Sequence, residues 1–198
     1  MSYCSPVKAY RVLLAPLLLL TLSTCARAPF PPNVKAKLGE VHYSPAVGGV
    51  LGSEEPTFEL LLSEATPLVT IRVGLTPDPN FRVVKVIEFK TLRTADNYRT
   101  DYVGSPEGDT DWQPVITVPA GHTVRGISGR GGWFIDAISF HFTDGSRSPE
   151  FGGAGGDTDF RILLAETPLG QPRGRLLGFY GTAGGLVESL GLVFWPVE

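Results

Sequence analysis

The residues best equipped for chemistry lie between Gly126 and Asp159. A turn, Gly132-Trp133-Phe134-Ile135-Asp136, ends in an acid, and a loop rich in glycine, Gly152-Gly153-Ala154-Gly155-Gly156, follows it. A hydroxyl-rich ligand both donates and accepts hydrogen bonds. It calls for an ionised carboxylate as acceptor and for backbone N–H groups as donors. Asp136 supplies the first, and the N–H groups of Phe134, Ile135 or Asp136 the second. A loop without side chains lets a second piece of backbone approach closely. Trp133 offers an apolar wall for the C–H face of such a ligand. The plainer alternative is that Asp136 caps a turn and the glycines only permit tight bends.

The other constellations are thinner. Gly152 to Asp159 (GGAGGDTD) resembles one turn of a calcium-binding repeat, but a single copy builds no stacked site. Asp157 and Asp159 would serve calcium only in that reading. Asp136 with Asp157 would be the carboxylate pair of a glycosidase, and nothing else in the sequence supports it. His42, His122 and His141 are unclustered and lack metal-ligand spacing. There is no Gly-x-Ser-x-Gly, no phosphate-binding loop and no HExxH. No cofactor and no metal are expected.

These residues must be positioned by strands. With 24 Gly, 17 Pro and 42% hydrophobic residues in 198, the chain is too apolar for disorder and too rich in breakers for a helical bundle. Alternation of Ile135, Ala137, Ser139 and His141 with Asp136, Ile138, Phe140 and Phe142 predicts a strand with one buried face. Residues 1–28 read as a secretory signal peptide: Lys8 and Arg11, an apolar run Val12 to Leu22, then small residues up to Ala28. The run is too short for a membrane span. Leu22-Ser23-Thr24-Cys25 approaches a bacterial lipobox, which would instead anchor a lipid on Cys25. A Pro-rich linker covers 29–39, and one domain covers 40–198. Both cysteines, Cys4 and Cys25, lie in the leader, so the remainder has no disulfide. After residue 28 there are 14 bases (17 − 3) and 20 acids, a charge of 14 − 20 = −6. A nucleic-acid footprint is therefore absent.

Internal repeats run through the domain. Gly74, Gly126 and Gly178 stand 52 residues apart, each after a strand-like segment. GGWFIDAISFHF (131–142) matches AGGLVESLGLVF (183–194) at the same offset, and GDTDW (108–112) matches GDTDF (156–160). Phe58, Trp112 and Phe160 would then begin equivalent strands. The unit of about 50 residues occurs three times and is cyclically cut, so that first and last strands become neighbours. The glycine loop of the third copy would be Val47-Gly48-Gly49-Val50-Leu51-Gly52.

The unit resembles that of the jacalin-related lectins. The resemblance rests on Gly-x-x-x-Asp at 132–136, Ile135-Asp136-Ala137-Ile138, the glycine loop 152–156, Asp101-Tyr102-Val103-Gly104 and the segment 178–195. It implies an all-β fold, a β-prism I of three Greek-key, four-stranded sheets in pseudo-three-fold arrangement. It also implies a lectin, not an enzyme, that binds mannose- or glucose-type sugars on glycans or glycoproteins without metal. The sugar would be held by Gly132, Trp133, Phe134, Ile135, Asp136, Gly152 and Gly153, with Asp136 paired to Gly153. A second site would use Gly49, Gly184, Leu186, Val187 and Glu188, where Glu replaces the family's Asp and displaces the carboxylate. The first copy, with Val83 or Val84 where the acid belongs and Asn80 for the glycine, would be dead. Binding at one site would be about millimolar, so avidity would need homo-oligomers or clustered glycans. The alternative is a sugar-blind β-prism serving as a structural or protein-interaction module.

Overall fold

A computed structural model describes residues 41–49, 56–62, 67–94, 96–164 and 174–196. The chain divides into two units, Met1–Pro32 and Asn33–Glu198, and every described residue belongs to the second. The leader, the linker, both cysteines and Val50-Leu51-Gly52 lie outside the described residues.

The described secondary structure is all β. In chain order the strands are β1 (His42–Tyr43), β2 (Val47–Gly48), β3 (Phe58–Leu61), β4 (Leu68–Leu75), β5 (Val84–Thr94), β6 (Asn97–Gly104) and β7 (Asp111–Trp112). They continue with β8 (Ile116–Thr117), β9 (Val124–Gly131), β10 (Ile135–Phe142), β11 (Phe151–Gly152), β12 (Thr158–Leu163), β13 (Gly174–Gly181) and β14 (Ser189–Pro196).

They form three antiparallel sheets, and each is a Greek key. The middle sheet runs β11-β10-β9-β12, the fourth strand returning beside the first. The sheet before it in sequence runs β6-β5-β4-β7, with β8 also on β4. The last runs β1-β14-β13-β3, with β2 also on β14. It is the cyclically cut one: His42 pairs with Phe194, and Ser44 Oγ accepts the Leu192 N–H at 2.9 Å. Two sheets therefore have five strands where four are expected. Their edge strands are broken into two short pieces at Pro45 and Pro114, residues that cannot donate to the ladder.

The inward faces of the three sheets share one core. Each sheet contributes one matching cross-strand pair: Phe89 with Ile71, Phe140 with Ile127, and Leu192 with Phe179, all fully buried. Phe89 stacks on Phe179 with ring centroids 4.6 Å apart, which joins the first and last pairs, and all six residues belong to one core cluster. The sheets are also tied by backbone bonds, Ile135 N–H to Val187 O at 3.0 Å and Val187 N–H to Val84 O at 3.1 Å. Val84, Ile135 and Val187 thus stand at equivalent places around the pseudo-three-fold.

The register corrects three expectations. Gly126 and Gly178 are equivalent, facing His141 and Val193, but their counterpart in the first copy is Thr70, facing Lys90. Gly74 lies further along, opposite Val86. The cause is the β4–β5 connection: eight residues (76–83) separate Leu75 from Val84, against three (132–134) between Gly131 and Ile135. Phe58 and Phe160 are equivalent and pack against the core. Trp112 is displaced by one position, and a one-residue slip turns a side chain to the other face. It lies on the outer face, with the Arg72 guanidinium 4.9 Å from its ring centroid. Lastly, β10 is buried on both faces. Its outward side chains are small or partnered: Ser139 Oγ donates to Pro149 O at 3.4 Å, and His141 Nε2 lies 2.7 Å from Ser128 Oγ.

Candidate functional site

Asp136 sits at the entry of β10, one residue before Ala137, which faces Gly152 of β11. This pairing fixes the acid beside the glycine loop. Gly152 has φ 146°, and its Cα faces the Asp136 carbonyl so closely that a Cβ would overlap it. Gly153 N–H donates to Asp136 O at 2.9 Å. Beyond it the loop folds over the carboxylate. A Cβ on Gly156 would lie 2.7 Å from Asp136 Oδ2, and one on Gly155 would overlap Oδ1. Gly132 also approaches, its would-be Cβ 3.8 Å from Oδ2 and 3.6 Å from the Gly156 Cα.

The structure therefore brings Asp136, Gly132, Gly152 and Gly153 together, and separates some roles. The Gly153 N–H is already used by the fold. Ile135 is fully buried, and its N–H is taken by Val187 O. Trp133 is the most exposed large apolar residue described, at 74%. Phe134 turns back, its carbonyl accepting the Gly132 N–H at 3.0 Å, and its ring meets the edge of Phe81 at 5.8 Å. Sequence reasoning missed Phe81 because it belongs to another copy, on the long β4–β5 loop. It also missed the closeness of Gly155 and Gly156 to the carboxylate, and Arg130. Strand alternation could have placed Arg130 on the outer face of β9, two residues before Gly132.

Asp136 is only 8% exposed. Burial pushes its pKa above the ordinary carboxylate value of 3.8; Arg130 opposes that shift, Asp157 adds to it, and a backbone hydrogen bond from Gly132 opposes it. Arg130 is itself engaged, donating from Nη2 to Gly156 O at 3.2 Å, with Nε 3.7 Å from Asp159.

The other copies differ at the same register. Ala137, Ser189 and Val86 face Gly152, Gly48 and Gly104, so Asp136, Glu188 and Lys85 are equivalent. In the last sheet Gly49 stands beside the Glu188 backbone, and a Cβ on Gly184 would lie 3.7 Å from Glu188 Oε1. Leu186 O accepts the Gly184 N–H at 3.1 Å, matching Phe134 and Gly132. Val187, like Ile135, is fully buried with its N–H engaged.

In the first copy neither Val83 nor Val84 takes the acid's place; both are core residues, and Asn80 lies within the inserted loop. Lys85 takes it. Its ammonium donates to Glu107 O at 2.5 Å, Asp109 O at 2.8 Å and Thr110 Oγ1 at 3.0 Å. A cation fills the position and ties down the loop that would have closed on a ligand. Lys85→Met is expected to cost about 1 kcal/mol of stability in urea unfolding, with saccharide binding unchanged.

Among the described residues no group of three or more His, Cys, Asp or Glu could hold a metal ion. Among them, too, no helix is long and apolar enough to cross a membrane.

No protein-family model matches the sequence, and no curated protein matches it. Solved structures do. A mannose-binding jacalin-related lectin from Ananas comosus is 20% identical, with 79% of this chain covered, 98% of that one, and a TM-score of 0.52. Its fold decides the architecture. The chain carries the jacalin-type β-prism. Calsepa lectin in complex with a biantennary N-glycan shares the prism at 16% identity, covering 80% and 99% of the two chains, with a TM-score of 0.63. Malaysian banana lectin shares it at 19% identity, covering 79% and 99%, with a TM-score of 0.53. At these identities the prism is common property, and the residues in its loops are this chain's own.

Proposed function

We propose that residues 40–198 form a saccharide-binding module whose principal site is the cleft at Asp136. One observation carries the reading. The Asp136 carboxylate is buried between two glycine-lined loops, and no ion pair holds it there among the described residues. An ionised carboxylate in that setting costs stability and is retained for what it binds. Asp136 accepts sugar hydroxyls, the Gly132–Phe134 turn frames the opening, and Trp133 and Phe81 give apolar flanks. Two of the structurally similar lectins supply the ligand class: one is described as mannose-binding, and another is seen with an N-glycan. Mannose- or glucose-type sugars, bound without metal, are the specific reading here. The module binds its glycan rather than hydrolysing it. The leader read in residues 1–28 would export it, and self-association would raise avidity.

The site at Glu188 is a weaker second centre. Its acid has one more methylene and one more rotor, so its oxygens are displaced from the place Asp136 defines.

A glycan array tests the proposal, using a multimerised preparation of residues 29–198 with and without chelator. Chelator-insensitive binding to mannose- or glucose-terminated glycans is the expected result. A blank array from folded protein would overturn it and leave a prism that serves protein contacts. Binding abolished by chelator would overturn the metal-free reading.

A further inference from the structure

The outer face of the middle sheet carries a second polar feature, bordered on one side by Arg130, which also donates to Gly156 O of the glycine loop. A depression of about 380 Å³ opens over β9, β10 and β12. Cross-strand register explains its lining. Ser139, Ser128 and Arg161 form one outward row, and Ala137, Arg130 and Asp159 form the next. His141 stands beside them, bridged to Arg147. Three guanidinium groups, Arg130, Arg147 and Arg161, therefore border one hollow in a chain whose net charge is −3.

Two carboxylates also line it. Asp159 lies by Arg130, at 3.7 Å, and Glu150 is the other. Three cations against two anions leave the hollow positive. Arg147 and Arg161 are exposed, and among the described residues their guanidiniums make no ion pair or hydrogen bond. On the outer face of the first sheet, by contrast, the cations are spoken for. Arg72 lies on Trp112 and donates to Gln113 O, and Lys90 pairs with Glu88.

The floor is polar and ordered. Ser128 Oγ and His141 Nε2 lie 2.7 Å apart, and His141 is only 8% exposed. Burial first, then Arg161, Arg147 and Arg125, lower the His141 pKa, so the ring is neutral at physiological pH. That shift registers the positive field of the arginines. The Ser128–His141 bond uses one of the pair's two donors; with the neutral imidazole donating from Nε2, the Ser128 O–H is left to donate to an oxygen, and free guanidiniums supply forked pairs of donors.

We propose that this hollow binds a compact oxyanion, a sulfate, phosphate or carboxylate group, gripped by Arg147 and Arg161 over Ser128. The group could arrive free or as a substituent on an acidic saccharide; the chemistry of the grip is the same. It is a different site from the Asp136 cleft, and the two can fail separately.

The test is a titration of isotope-labelled protein with inorganic sulfate, then phosphate, then a sulfated disaccharide, at constant ionic strength. Amide resonances of Ser128, Gly129 and Arg161 and the His141 ring are followed. Saturable shifts confined to these signals are expected. Affinity should weaken about tenfold or more in Arg147→Gln/Arg161→Gln, the loss expected when charge-assisted hydrogen bonds go. The same variant should keep its neutral-glycan binding, and Asp136→Asn should keep its sulfate response. Tighter binding of the disaccharide than of inorganic sulfate would identify a saccharide substituent as the source. Equal affinity would identify the free ion. Absence of saturable shifts, or an unchanged affinity in the folded double variant, would overturn the proposal.

Discussion

Asp136→Asn should abolish saccharide binding while leaving the domain at least as stable at neutral pH. The two halves have one cause. Burial raises the pKa of Asp136, so its ionised form is disfavoured by folding. The sign follows directly. A carboxyl whose pKa is higher folded than unfolded costs stability above that pKa. The cost fades as pH falls through the raised value towards the ordinary 3.8, and is gone below it. Asn removes the charge and keeps the shape, so any gain should be present at pH 7 and absent in acid. Binding changes the other way. Loss of charge-assisted bonds to hydroxyls, each about 1.5–3 kcal/mol, weakens a roughly millimolar complex at least tenfold, beyond ordinary detection. Wild-type binding should likewise fade on acidification sooner than an ordinary carboxylate would predict. Calorimetry and urea titrations at pH 7 and pH 3 provide the check. A variant that still binds would remove Asp136 from the site. A loss of about 1 kcal/mol at pH 7, as for a missing cap, would make it a turn residue instead.

Phe89→Ala should be the most damaging single truncation in the core. Phe89 is fully buried, paired across strands with Ile71 and stacked on Phe179, so it joins the first sheet to the last. Large-to-small changes of this kind cost about 3–5 kcal/mol, because lost contacts and a residual cavity add together. A typical domain has about 5–15 kcal/mol in total. Urea midpoints and the melting temperature should both fall sharply. A loss under about 1.5 kcal/mol would mean that neighbouring side chains close the gap.

Much of this was legible in the chain, because strand period and turn chemistry are local signals. The offset of 52 between 131–142 and 183–194 predicted that β9–β10 and β13–β14 are copies, and the register agrees at Gly126 and Gly178. The cyclic cut was legible for the same reason, since a third glycine loop had to lie near residue 48. What escaped was anything set by loop length. Five additional residues before Val84 moved Gly74 out of step and hid Lys85 as the counterpart of Asp136. The slip at Trp112 was invisible because an aromatic fits either face of a strand. Contacts between copies, such as Phe81 with Phe134, have no signature in a single sequence.

The pairing of β1 with β14 also fixes an order of events. The strand partners of β1, β2 and β3 all lie in 174–196. Ser44 must wait for Leu192, 148 positions later, before its hydroxyl finds its hydrogen-bond donor. The other two sheets draw their strands from 68–163 and can assemble as soon as that stretch is made. Closing so long a loop is entropically slow. On a ribosome the opening strands therefore emerge first and are seated last, and the rate of that final closure is where a chaperone would find the chain still open.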